Sequence, residues 1–174
     1  FRPKPKALEG AKKISTTEGA RIAARFAGEP GTRYTTKYVG RVRGDMPTFL
    51  YTLTPDGRKG PDAAPIRVSV TEHGGRVAWM LSERPAGVKQ QIDLDRATAA
   101  AERFVRQNGL SDLTVVCREE MGTVDVITMA PVKDGAIHYP ELVKCVVAVD
   151  SGKVIGFEGV PYLIFHDPSH GAGQ

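Results

Sequence analysis

Apolar positions along the chain change their period twice, in the same order each time. In "ISTTEGARIAARFAG", Gly19, Ile22, Ala23 and Phe26 fall at i, i+3, i+4 and i+7, the spacing of one helix face. In "IDLDRATAAAERFVR", Ala97, Ala100, Ala101 and Phe104 repeat that spacing. A polar residue able to cap the helix, Ser15 or Asp93, precedes each pattern. Ser15 and Glu18 also have capping-box spacing. Gly28 and Gly109 follow the two patterns and are expected to stop the helices in a left-handed conformation. Beyond each helix the period falls to about 2, the signature of half-buried strands. Strands are predicted near Arg33 to Val42, Thr48 to Thr54, Ile66 to Glu72 and Arg76 to Leu81, and again near Leu113 to Arg118, Val124 to Ala130, Val143 to Val149 and Lys153 to Phe157.

The two halves are therefore copies of one unit. Laid over each other at an offset of 78 residues, Ile14, Ala23, Arg25 and Phe26 meet Ile92, Ala101, Arg103 and Phe104. The last two strands of each copy are joined by "EHGG" and "DSG", which sets Gly75 over Gly152. A helix followed by antiparallel strands, twice, predicts an α+β fold of two tandem repeats, each a helix on a sheet of about four strands. The expected organisation is a basic leader over 1–13, a first repeat over 14–82, a Pro- and Gly-bearing linker over 83–91, a second repeat over 92–165 and a flexible tail over 166–174. Sheets this small have thin cores, so the copies are expected to pack on each other. The Arg2-Pro3 pair precedes Ile14 much as Arg84-Pro85 precedes Ile92, which hints at a further unit upstream.

One local pattern invites a different reading. Ser151-Gly152-Lys153 resembles the end of a phosphate-binding loop, yet Val147 and Val154 stand where such a loop needs a glycine and a Ser or Thr. The stretch is a predicted hairpin turn between two strands.

Charge alters the picture little. The net charge is +4, but the five cations and one anion before Ile14 account for that entire excess, so the body is neutral. A nucleic-acid-binding face is not expected. No run approaches the ~20 apolar residues of a membrane span, and any anchor is expected upstream of Phe1. Cys117 and Cys145 lack the paired spacing of a zinc or redox motif and are expected as two buried free thiols, with a single bridge as the alternative.

Catalytic signatures are absent: the chain has no H-E-x-x-H, G-x-S-x-G, S-x-x-K, C-x-x-C or G-x-G-x-x-G. His73, His138, His166 and His170 are scattered. His166, Asp167 and His170 could meet a metal only in a Gly-rich tail, which is a poor preorganised site. Glu119 and Glu120 are neighbours on a strand and point to opposite faces, so they cannot form one acid/base dyad. Tyr162, Leu163, Ile164 and Phe165 read as core or last-strand packing. No catalytic, cofactor-binding or metal residue is expected, and the residues that bind a partner are not identifiable. An enzyme acting on cell-wall glycan would need two carboxylates about 5 to 10 Å apart across a cleft.

The repeat resembles the PepSY family, in which a helix precedes antiparallel strands. The stretch "VKDGAIHYPELVKCVVAVDSGKVIGFEGVPYL" is similar to the C-terminal PepSY region of the YpeB family of spore germination proteins. "ISTTEGARIAARFAG" and "EHGGRVAWMLSERPAGVKQQIDL" extend the resemblance to the first copy. It implies a non-catalytic module that binds, stabilises, localises or restrains the cortex-lytic peptidoglycan hydrolase SleB. The implied setting is the extracytoplasmic side of the spore inner membrane, with the parent protein anchored by an upstream segment. It implies no cofactor. The alternative is a protease-inhibitor or prodomain-like PepSY module. Sheet edges could also allow self-association.

Overall fold

The computed structural model describes residues 4–87 and 89–168. Helix α1 spans Thr16–Ala27 and α2 spans Leu94–Gln107. Ser15 Oγ accepts the Glu18 N–H at 3.1 Å and Asp93 Oδ1 accepts the Arg96 N–H at 2.8 Å, so both expected caps form. The stops differ. Gly109 is left-handed, at φ 83, whereas Gly28 is extended, at φ −73. The expectation for Gly28 is thereby corrected. Its N–H closes on the Ala24 carbonyl, and the left-handed turn comes later, at Gly31 with φ 79. Glycine still suits position 28, because a Cβ would press on the Ala24 carbonyl oxygen and stand 3.2 Å from the Tyr34 ring.

The strands are β1 (Tyr34–Val42), β2 (Thr48–Pro55), β3 (Ile66–Thr71), β4 (Val77–Ser82), β5 (Leu113–Met121), β6 (Val124–Lys133), β7 (Ala136–Ile137), β8 (Val143–Ala148) and β9 (Val154–Glu158). All the predicted strands are present, and the short β7 is an addition to them. They form one antiparallel sheet in the order β1-β2-β3-β4-β9-β8-β6-β5, with β7 beside β6. The copies do more than pack: β4 and β9 pair directly, with Trp79 opposite Glu158, Met80 opposite Phe157 and Leu81 opposite Gly156. Met80 and Phe157 occupy equivalent places in the two copies, so the sheet is continued through matching strands.

Alternation along these strands buries one set of side chains beneath the helices. Phe49, Tyr51 and Leu53 on β2, Val68 and Val70 on β3, Ile127 and Met129 on β6, and Val143, Cys145 and Val147 on β8 are all buried. At the junction the two helices meet. Phe26 lies edge-on to Phe104 at 5.2 Å and to Phe157 at 4.9 Å, joining both helices and the shared sheet in one aromatic cluster.

The leader is partly ordered against the first repeat. Leu8 is buried, Lys13 bridges His73, and the Gly74 N–H donates to the Lys12 carbonyl. At the other end Val160–Phe165 forms a short helix, α3, so of the two expectations for this run, core or last-strand packing, core packing is the one that holds. Pro161 lies in its first turn, where its fixed φ suits a helix and its missing N–H costs nothing. Tyr162 and Leu163 of α3 are buried.

Candidate functional site

The hairpin at Asp150-Ser151-Gly152 joins β8 to β9 as predicted. Gly152 takes φ 78 and donates its N–H to the Ala148 carbonyl at 2.8 Å. Its flanks reach into the first copy. Lys153 Nζ lies 2.7 Å from Asp62 Oδ1 and 3.1 Å from Glu29 Oε1, while Asp150 Oδ1 receives Arg84 from the linker at 2.9 Å. Arg84 Nε stands 3.5 Å from Asp62, close enough for attraction but without a hydrogen bond. These five residues clasp the second copy's hairpin to the linker and to the first copy. Gly87 lets the linker pass close by, because a Cβ there would collide with the Asp150 carboxylate.

Hydrogen bonding is the largest influence on the clasp's two aspartates. The Lys153 ammonium holds the Asp62 carboxyl below its ordinary range, and Arg84 does the same to Asp150. Burial works against the charge on Lys153, but its bonds to Asp62 and Glu29 outweigh that cost and raise its pKa.

The clasp borders a groove of about 600 Å3 between the C-terminal ends of α1 and α2, on the helix-bearing face of the sheet. Phe26, Phe104, Ile66 and Val154 give it apolar walls. Its cations are Arg25, Arg58, Arg84, Arg103 and Lys153, and its anions are Glu29 and Asp62. Both anions are already engaged by the clasp. Arg58 donates to Thr32 Oγ1 at 2.8 Å, and among the described residues Arg25 and Arg103 have no acidic partner. The groove therefore offers guanidinium donors to an incoming acid. By contrast, both outer edges of the sheet are interrupted by register shifts, at Tyr38/Gly40 on β1 and Val115/Cys117 on β5, which blunt them for strand addition.

The sequence-noted residues lie elsewhere and do not converge. His73 is in the β3–β4 turn. Glu119 and Glu120 lie on β5 opposite Val126 and Asp125, hence on opposite faces. Both cysteines are free. Cys145 is buried, and its thiol is pushed up to about 12 by that burial; Cys117 is exposed on the edge strand, which corrects the expectation of two buried thiols. His166, placed by sequence at the start of a solvated tail, instead stacks on Tyr162 at 4.3 Å and approaches Glu141 Oε2 at 3.2 Å. Glu141 is 1% exposed, with Lys133 Nζ at 2.7 Å, so the cluster pins α3 to β6. Asp167 lies just beyond it, and His170 falls outside the described residues. Among the described residues no group of three or more His, Cys, Asp or Glu could hold a metal, and no helix is long and apolar enough to cross a membrane.

Sequence reasoning missed the clasp and the groove. Glu29, Asp62, Arg84, Asp150 and Lys153 are distant in the chain, and no local pattern announces that a fold will gather them. The one available signal was the matched Arg25 and Arg103 of the repeat.

Comparison with known proteins gives a consistent picture. The family model described as YpeB sporulation, PepSY1 and PepSY2 domains, matches residues 2–170. The chain is 30% identical over 158 residues to the sporulation protein YpeB of Bacillus subtilis (strain 168), covering 89% of this chain and 34% of that protein. It is 29% identical over 99 residues to the sporulation protein YpeB of Halalkalibacterium halodurans, covering 57% of this chain and 22% of that one. The chain thus spans about a third or less of these relatives. The solved Bacillus megaterium YpeB C-terminal domain shares its fold, with a TM-score of 0.76 at 22% identity over 89% of this chain and 67% of that chain.

Proposed function

The chain belongs to the YpeB sporulation family, carrying its PepSY1 and PepSY2 domains, and we propose that it serves there as a non-catalytic platform that docks a cortex-lytic peptidoglycan hydrolase, SleB. In this reading it stabilises, localises or restrains the hydrolase on the extracytoplasmic side of the spore inner membrane until germination. The observation that carries the reading is the fusion of the copies. Direct β4–β9 pairing and the Phe26–Phe104–Phe157 cluster turn two thin-cored repeats into one body with a groove at their junction. A preordered groove of that kind lowers the entropic cost of holding a partner. The groove's carboxylates, Glu29 and Asp62, are both held in ion pairs with Lys153, which does not favour a glycan-cleaving dyad there.

Co-purification of the chain with the hydrolase tests this directly. The expected result is a complex in which the hydrolase melts at a higher temperature or releases muropeptides more slowly. Failure to associate, with the hydrolase's melting temperature and activity both unchanged, overturns the reading.

A further inference from the structure

We propose that the groove between α1 and α2 accepts an extended acidic peptide segment of a partner protein, with carboxylates held by Arg25, Arg58 and Arg103 and apolar side chains seated against Phe26 and Phe104. This rests on the reading of the chain as a protein-binding platform and adds where the partner binds and what it must look like.

The internal repeat supplies the first argument. Of the four residues shared by the two helix segments, three have a structural role. Ala23 and Ala101 are fully buried, Phe26 and Phe104 meet edge-on, and Ile14 and Ile92 pack against the core. The fourth pair, Arg25 and Arg103, is exposed and makes no ion pair among the described residues. The fold brings these two side chains, one from each copy, to the same opening. Arg58 adds a third guanidinium from the loop after β2.

Charge balance supplies the second. Of the five cations around the groove, Lys153 is engaged by Glu29 and Asp62 and Arg84 by Asp150. Arg25, Arg58 and Arg103 are therefore available to a ligand. At the groove wall Arg84 is held by Asp150 and faces Asp62, so it fixes the wall and leaves the ligand to Arg25, Arg58 and Arg103.

The lining also discriminates between acidic partners. A glycan presents hydroxyl groups that need acceptors as well as donors, and the groove's strongest acceptors, the Glu29 and Asp62 carboxylates, are already occupied by Lys153. Phe26 and Phe104 are turned edge-to-face on each other rather than laid open for a sugar ring. An extended peptide alternating carboxylate and apolar side chains fits both the donors and the walls.

The test uses the whole chain and a fluorescein-labelled peptide of alternating Glu and Leu, with the same peptide carrying Gln for Glu as control. Binding is expected for the acidic peptide, roughly tenfold weaker for the Gln version and at least roughly tenfold weaker for the R25E/R103E variant, since each exposed pair is worth only a fraction of a tenfold to a few-fold. Binding should also weaken as salt is raised. R58E, in a loop apart from both helices, should weaken binding independently, and circular dichroism should report native melting for both variants. Equal affinity for the Gln peptide, or for R25E/R103E, overturns the proposal. So does displacement of the peptide by soluble glycan strands at lower concentration, which would assign the groove to a glycan. If the peptide binds wild type but the hydrolase does not co-purify, the groove assignment stands and the hydrolase reading falls. If R25E/R103E loses the peptide yet retains the hydrolase, the groove again stands and the hydrolase docks elsewhere.

Discussion

The two copies solve the same packing problem with different side chains. In the first, α1 comes down on Tyr51, which is fully buried and donates its hydroxyl to the Thr16 carbonyl at 2.6 Å. Gly19 makes room for it. In the second, the place equivalent to Tyr51 in strand register holds Ile127, and the helix position matching Gly19 holds Ala97. A large residue sits against a glycine in the first copy, whereas the matching places in the second hold a smaller residue and an alanine, both fully buried. Each copy is thus tuned as a pair across the helix–sheet interface, and the copies are similar in backbone without being interchangeable in sequence.

The sharpest way to break the comparison is to give the first copy the second copy's helix residue. In Gly19→Ala the new Cβ would strike the Tyr51 hydroxyl and stand 2.9 Å from its Cζ. The ring is enclosed and cannot swing away. Overpacking and the disturbed hydroxyl bond together exceed the ~1 kcal/mol that alanine gains as a helix former. A net loss of about 2–3 kcal/mol is expected, read as a fall in melting temperature of roughly 5–10 °C. Adding Tyr51→Ile recreates the second copy's pair, and the double variant should be more stable than the sum of the two single effects allows. The reverse change, Ala97→Gly, meets no such clash and should cost only about 1 kcal/mol. Strict additivity in the double-mutant cycle would show that the two positions are not packed as a pair.

How much of this was readable in the sequence follows from the range over which each feature is determined. Helix faces, caps and hairpin turns are local, and Ser15, Asp93 and Gly152 behave as their neighbours in the chain require. The β4–β9 junction is not local. Met80 and Phe157 look like ordinary core residues of separate sheets, and nothing near either says that its strand edge will be covered by the other. Tyr162 and Leu163 are core residues as expected, but they reach the core from a helix, not a strand, because a short apolar run carries little period and the deciding feature is Pro161 in a first helical turn. The clasp joins Glu29, Asp62, Arg84, Asp150 and Lys153, whose pairing exists only once that junction has formed.

The clasp provides the next way to sharpen the comparison, because its side-chain ion pairs tie the second copy's hairpin to the linker and to the first copy. Arg84→Met keeps much of the side chain's bulk but leaves Asp150 without its guanidinium. A loss of about 1–2 kcal/mol is expected at neutral pH, discounted for the exposure of Asp62. The pH dependence has a definite sign. Asp150 and Asp62 are held below their ordinary range in the folded state, so their contribution is present above the unfolded carboxyl value of about 4 and is lost as pH falls through the lower folded values. Denaturant titrations should show a steady gap between wild type and variant from roughly pH 5 to 8 that closes in more acidic solution. A gap that persists unchanged at low pH would mean that Arg84 acts through packing alone.

The smallest expected effect comes from the least symmetric pair of positions. Phe49 in the first copy and Asp125 in the second occupy equivalent register sites, opposite Val70 and Val147, and both are buried. Phenylalanine suits such a site, whereas the Asp125 carboxylate has Oδ2 without a hydrogen-bond partner. Burial raises its pKa, and the nearby Glu120 raises it further. A carboxyl with a folded pKa above its unfolded value does no harm in acid, where it is protonated in both states. It becomes a liability as pH rises past about 4, when the unfolded chain ionises more readily than the folded one. Asp125→Asn keeps the shape and removes that penalty. The variant should therefore be about 1 kcal/mol more stable than wild type at pH 7, with the advantage shrinking towards pH 3. A destabilised Asn variant would mean that the charge is needed in the second copy, and that the asymmetry with Phe49 is an adaptation there and not a tolerated defect in its core.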